Sequence, residues 1–392
     1  MPQSQNAGPE RGTMNMHTDA GTASVVADPA VQRLSMPHVP ALDGLRALAI
    51  CIVFVSHSGL GSVVPGGLGV TIFFFLSGFL ITSLLRVEFA GAGTISFFGF
   101  YMRRVFRIMP PLWLTMVFVA VLVATGLMAA DPDPIGVAAQ ALFATNYAEL
   151  WYGRLGLPGM PLWSLAVEEH FYFLFPLLFL FLMKTSTARR TAVWCGILCG
   201  VVLMLRMVHV FVWNDLYQPY YLTHTRIDSI LFGCILALWQ NPVLEEKAWK
   251  PGPLWVAVAL GALLMTIAIR QPQFRETVRY TIQGISLLVL FSAALWARGP
   301  VRTVLANPVL KRIGLYSYTI YLVHFAIIHL IAENLTHGSM LLAGIIAILP
   351  TWGYAALMYR VVERPLGRWR RRLDLFETAP PVDQTSRPVG SI

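Results

Sequence analysis

Charge is scarce in this chain. Only 12% of its 392 residues are Asp, Glu, Lys or Arg, against about a quarter in a soluble domain, and that excludes an ordinary water-soluble globule of this length. Long polar stretches are also missing after residue 44, where apolar runs follow one another almost without a break; one membrane-embedded domain is the simpler expectation than several soluble ones. Cysteine is limited to Cys51, Cys195, Cys199 and Cys234, all within predicted spans. Cys195 and Cys199 share a helix face, but two thiols one turn apart lack the further ligands a metal site needs. They read as buried apolar thiols, and no metal is expected. The first apolar stretch has no small-residue cleavage site after it, so it reads as a retained span. No internal repeat is visible, which counts against a transporter built from inverted repeats.

What the chain does contain is apolar residues, 56% of the total. Spans are expected near 42–60, 67–86, 107–128, 162–183, 191–213, 222–240, 253–270, 279–297, 314–334 and 340–360. Each must satisfy its own backbone polar groups inside the bilayer, so each is a helix. The expected fold is therefore all-α: a polytopic transmembrane helical bundle of about ten helices. Residues 1–40, rich in Gly, Ala, Ser and Pro without apolar periodicity, read as a disordered cytoplasmic tail. Residues 41–365 read as the membrane domain, and 366–392 as a basic, then disordered, cytoplasmic tail.

The orientation follows from Lys and Arg. With both termini cytoplasmic, 22 of the 29 basic residues fall inside and only Arg154, Arg270, Arg275 and Arg279 outside, with three left in the spans. The net charge of +9 then reflects cytoplasmic anchoring rather than nucleic-acid binding. The cluster Arg364, Arg368, Arg370, Arg371 and Arg372 suits anionic lipid headgroups.

Ionisable groups inside a membrane are costly, so each needs a reason. The first span holds Arg46 and His57, eleven residues and almost three turns apart, hence on one face and roughly 16 Å apart along the axis. A histidine there is either a structural hydrogen-bonder or a base able to take a proton from a hydroxyl. Arg104 and Arg107 are neighbours on one helix face. They are either a positive-inside anchor or a phosphate clamp, since guanidinium pairs well with phosphate. Ser164 and Glu168 are one turn apart on a common face, with Glu169 pointing elsewhere. Glu168 is expected either to orient the His57 imidazole or to pair with Arg226. Arg226 and Asp228 lie near the outer face. Tyr318 and His324 are expected to line a site, or else to hold helices together by hydrogen bonds. Ser164, Arg226, Tyr318 and His324 are the candidate substrate-binding residues.

Seven segments together resemble acyltransferase family 3, the membrane O-acyltransferases that include peptidoglycan and lipopolysaccharide O-acetylases. They are Leu42-Asp43-Gly44-Leu45-Arg46-Ala47 with His57, Phe74-Phe75-Leu76-Ser77-Gly78-Phe79, Arg103-Arg104 through Arg107 to Pro110, Trp163-Ser164 through Glu168-Glu169-His170-Phe171-Tyr172, Arg226-Ile227-Asp228 before Gly233, Tyr316-Ser317-Tyr318 through Tyr321 to His324, and Glu363-Arg364-Pro365. Any one is weak; seven in the family's order, over about residues 38–372, are specific. The resemblance implies an enzyme of the bacterial cytoplasmic membrane. It would move an acyl group, commonly acetyl, from cytosolic acyl-coenzyme A to a hydroxyl of an extracytoplasmic glycan or related acceptor. It implies that Arg46 and His57 are an essential pair and that Arg104 and Arg107 bind coenzyme A; Ser164 and Glu168 match the family's Ser-x-x-x-Glu. Some relatives carry a fused C-terminal hydrolase-like domain with no counterpart in these residues, which leaves the acceptor more open. His57 is then the general base or a transient acyl carrier, with Glu168 orienting it and Arg46 stabilising the donor or the developing oxyanion. The alternatives are an O-acyltransferase for a small molecule or lipid, and a secondary transporter.

Overall fold

The computed structural model describes Met36, residues 39–153 and residues 155–372. The expected N-terminal tail, apart from Met36 and its last two residues, and the C-terminal tail beyond residue 372 lie outside the described residues, as does Arg154. The described chain is helical throughout: α1 Pro40–Val55, α2 Gly66–Ala92, α3 Phe97–Ala124, α4 Pro134–Ala141, α5 Thr145–Tyr152, α6 Trp163–Thr185, α7 Ala188–Phe211, α8 Thr223–Arg226, α9 Asp228–Trp239, α10 Pro253–Ala268, α11 Pro272–Glu276, α12 Val278–Trp296, α13 Pro300–Leu305, α14 Pro308–Asn334, α15 Met340–Met358 and α16 Arg364–Arg372. Among the described residues there is no strand.

The starts of these helices are written locally. Six of them have proline in the first turn, where the missing N–H has no intrahelical partner to lose. Side chains cap α3 and two of these six: Ser96 accepts from the Gly99 N–H at 3.2 Å, Asp133 from Ile135 at 2.7 Å and Asn307 from Val309 at 2.8 Å.

Among the described residues, eight helices are long and apolar enough to cross a membrane. The sixth and seventh expected spans are shorter. The sixth is α8 and the 12-residue α9, joined at Ile227, whose backbone stays helical, and the seventh is the 16-residue α10. At 1.5 Å per residue these reach about 18 and 24 Å, short of a ~30 Å hydrocarbon layer. The short α9 survives because protein surrounds it: nearly every residue is buried, so its ends need no lipid-facing backbone. It lies against α2 through Gly78 and Gly233, where a Cβ on either would overlap the other helix's backbone, at Ile230 and at Phe75. Small residues of this kind let membrane helices approach closely.

The bundle is ordered by its contacts as α15–α14–α1–α2–α9, with α7 and α12 packed beyond α9, and α10 on α12. The inner helices α2 and α14 are mostly buried, whereas α7 and α15 show broad apolar faces outward, as lipid-facing helices do. The core runs through Ile50, Phe74, Phe75, Phe79, Phe171, Phe179 and Leu322. One boundary matters for function. The third span is expected to begin at 107, but α3 begins at Phe97 because Ser96 caps it, so Arg104 and Arg107 stand two and three turns inside a helix rather than at its mouth.

Candidate active site

A cavity of about 310 Å³ runs into the bundle from Met36 and Val39, at the start of α1, to Ser164 and Tyr321. Its charged lining is balanced: Arg46, Arg104 and Arg107 face Asp43, Glu168 and Glu169. Among the described residues none of the three arginines makes an ion pair. The Arg104 guanidinium instead lies over the rings of Phe100 and Tyr172, at 5.7 and 5.2 Å from their centres. Glu168 is held by two hydroxyl donors, Ser77 at 3.1 Å and Tyr172 at 3.0 Å. The Tyr318 hydroxyl, also on the lining, donates to the Ile108 carbonyl at 2.8 Å.

At the deep end stands a hydroxyl pair. Ser164 Oγ and the Tyr321 hydroxyl are 2.6 Å apart, and Tyr321 donates to the Pro161 carbonyl at 3.0 Å. With the tyrosine proton on Pro161, the serine proton points to Tyr321. Beside Tyr321, at 5.8 Å between ring centres, is His324.

His57 lies here rather than on the cavity wall. After α1 the chain makes one wider turn, Ser56–Leu60, with non-helical angles at Ser58 and Gly59. Those angles come after His57, and the backbone from Arg46 through Ser56 stays α-helical, so the two keep the eleven-residue helical spacing that puts them on one face, with His57 deeper along it. His57 Nδ1 is 2.8 Å from His324 Nε2. His324 Nδ1 lies 3.0 and 2.9 Å from the carbonyls of Ile320 and Tyr321. Carbonyls only accept, so His324 Nδ1 carries the proton. A neutral His324 then offers its Nε2 lone pair, His57 Nδ1 donates to it, and the lone pair of His57 falls on Nε2. The backbone of α14 thus fixes the tautomer of a histidine on another helix.

Four expectations change. Glu168 does not reach His57, because its carboxylate is turned toward α2 and the arginines; His324 holds the orienting position. Glu168 does not pair with Arg226 either. Glu169, expected to point away, borders the same cavity and a smaller crevice of about 80 Å³ shared with Tyr101 and Phe173. Arg226 is outside the cavity lining and fully buried, because Phe74 of α2, Trp163 of α6, Tyr280 of α12 and Tyr220 close around it, with the Tyr280 ring centre 3.9 Å away. Its neighbour Asp228 pairs with Arg206 at 2.7 Å, both side chains having no solvent exposure. Arg46, Arg104, Arg107, Ser164, Glu168 and Tyr318 converge; His57 and His324 form a second group behind Tyr321. Tyr321 is a site residue that sequence reasoning missed, although its place three residues before His324, on the same helix face, marks it.

A helical membrane bundle with a basic, partly acidic cavity ending at a hydroxyl pair and a histidine pair is the framework of an integral membrane acyltransferase. Residues 39–360 match the acyltransferase domain family. The chain belongs to acyltransferase family 3. It is similar to the O-acetyltransferase OatA of Staphylococcus aureus strain NCTC 8325 and to that of strain COL, each 31% identical over 352 residues, or 84% of this chain. The match spans 57% of the length of those relatives. No solved structure matches significantly.

Proposed function

We propose that this protein is an O-acyltransferase of the bacterial cytoplasmic membrane, taking an acetyl group from acetyl-coenzyme A on the cytosolic side and passing it to a hydroxyl of an extracytoplasmic glycan. The observation that carries this reading is the alignment of an arginine-lined cavity with a histidine whose free Nε2 is set by its neighbours. Membership of the family supports acyl transfer, and the O-acetyltransferases among the relatives support acetyl and an oxygen acceptor. The excess of Lys and Arg on one side of the spans supports both termini, and the cavity mouth, being cytosolic.

Three guanidinium groups without ion-pair partners among the described residues suit a donor rich in phosphate. Arg104 and Arg107 hold it near the mouth, and Arg46 lies further along. His57 Nε2 takes the proton of the acceptor hydroxyl as that oxygen attacks the acyl carbonyl, the thioester C–S bond breaks, and the same imidazole returns the proton to the departing sulfur. His324 keeps Nδ1–H of His57 engaged, so Nε2 alone is available as base. Glu168, held by Ser77 and Tyr172, fixes the wall between α2 and α6.

The test is mass spectrometry of cell-surface glycans from cells lacking the protein, carrying it, and carrying His57→Ala. One acetyl group added only with the intact protein is the expected result. Equal acetylation with His57→Ala at matched membrane abundance overturns the mechanism. Substrate uptake without consumption of acetyl-coenzyme A overturns the enzyme reading in favour of a transporter.

A further inference from the structure

A second cavity, about 360 Å³, lies on the other side of the Tyr321 hydroxyl pair. Its walls are Ala130, Asp131, Glu149, the chain from Leu155 to Pro161, and Phe325. These walls are built rather than draped. The buried amide of Gln140 donates to the Leu157 carbonyl at 3.0 Å and accepts from its N–H at 2.7 Å. The Leu155 carbonyl accepts from the Asp133 N–H at 2.9 Å. Gly159 takes φ +64° and lies so close to α14 that a Cβ would meet the Ala326 backbone at 2.7 Å. No side chain fits there, so the loop is seated directly on the turn of α14 that carries Phe325.

Two contacts tie this cavity to the chemistry. Pro161, on its wall, accepts the Tyr321 hydroxyl whose other neighbour, Ser164, ends the first cavity. Phe325, on its wall, lies against the His57 ring with 4.4 Å between ring centres. The second cavity is thus separated from the histidine by one aromatic side chain, and from the donor cavity by one hydroxyl bridge. Its charged groups among the described residues are the carboxylates Asp131 and Glu149. Burial holds the Glu149 carboxyl above the usual carboxylate range, against the Thr145 hydroxyl bonded to it at 2.8 Å, which works the other way. Carboxylates in a wall accept hydrogen bonds from hydroxyl and ammonium groups and repel anions.

We infer that this cavity is the acceptor port: a hydroxyl-rich acceptor, neutral or cationic, enters it from the outer face and reaches His57 when Phe325 swings aside. The inference rests on the proposed acyl transfer and adds to it the route, the gate and the charge preference of the acceptor.

The experiment uses the full chain in intact cells. Leu155→Cys and Ala130→Cys place thiols on two walls of the port, and Leu216→Cys places one on a segment away from it. Cells are treated from outside with membrane-impermeant methanethiosulfonates, one bearing a trimethylammonium group and one a sulfonate. Surface acetylation is then compared before and after treatment for each variant. Binding of acetyl-coenzyme A is followed separately, by its effect on the melting temperature of the purified protein. The expected result is that the cationic reagent modifies both port cysteines roughly tenfold faster than the anionic one. Modification stops transfer while the shift with acetyl-coenzyme A persists, and labelling at Leu216→Cys leaves transfer intact. Transfer that continues with both port cysteines fully modified overturns the port, as does equal reaction with the two reagents. Loss of the acetyl-coenzyme A shift on labelling overturns it too, since the label then acts on the whole fold. An unmodified parent protein that transfers nothing removes the reading beneath the port, and the port with it.

Discussion

The molecule contains two arginine sites that differ in what surrounds the charge. Arg206 has everything a buried guanidinium requires: Asp228 at 2.7 Å, the carbonyls of Thr225 and Thr277 at 2.7 and 3.0 Å, and the Thr281 hydroxyl at 2.9 Å. No room remains for a ligand. Arg46, Arg104 and Arg107 face an open cavity with three carboxylates on its walls, none in ion-pair contact with them. A guanidinium with every donor engaged holds structure; one that lines an open cavity is placed to meet a ligand, as the proposed function requires of these three. Family membership alone does not separate these roles, because Arg226 and Asp228 also belong to a family-like segment and yet lie outside the cavity, one caged by aromatic rings and the other paired with Arg206.

Substitutions sharpen the contrast. The largest effect is expected just beyond the open cavity, at the histidine pair behind Tyr321. His57→Ala should lower acetyl transfer by about 10⁴-fold, as loss of a general base does, with membrane abundance and melting temperature unchanged; a melting shift as large as that of an ion-pair mutant would move His57 into the structural class. Next comes Arg206→Ala, expected to cost about 3–5 kcal/mol of stability by stranding Asp228. Thermal unfolding in detergent should show it, while the protein that remains folded keeps its KM for acetyl-coenzyme A. His324→Ala should reduce kcat by about 10²-fold with that KM unmoved, because the His57 tautomer is freed and the donor cavity is intact. Smallest are Arg104→Gln and Arg107→Gln, each raising KM for acetyl-coenzyme A by about tenfold through loss of one charge-assisted contact. A change in kcat alone would break the assignment of these two residues to the donor.

Hydropathy made all ten helical segments legible, because a bilayer leaves a chain few alternatives. Their exact reach was less so: the capping Ser96 that lengthens α3 is a weak signal beside a long apolar run. Helical spacing was enough to group Ser164 with Glu168 and Arg104 with Arg107. It also grouped Arg46 with His57, since the irregular angles at Ser58 and Gly59 come only after the histidine. It failed for partners across helices. Whether Glu168 meets a histidine or two hydroxyls, and whether Arg226 meets a carboxylate or four aromatic rings, is decided by how helices rotate against one another. A single sequence records each helix's faces but not that rotation.

The Tyr321 hydroxyl, bonded to Ser164 on one side and Pro161 on the other, also has an electrical meaning. Two water-accessible chambers meeting in one bundle would form a leak, and moving one charge down such a path releases about 2.3 kcal/mol per 100 mV of membrane potential. A seam one side chain thick, with both its protons already committed, would let the proposed transfer of a neutral acetyl group proceed while the membrane stays insulated, so vesicles containing the protein should hold a proton gradient as long as empty ones.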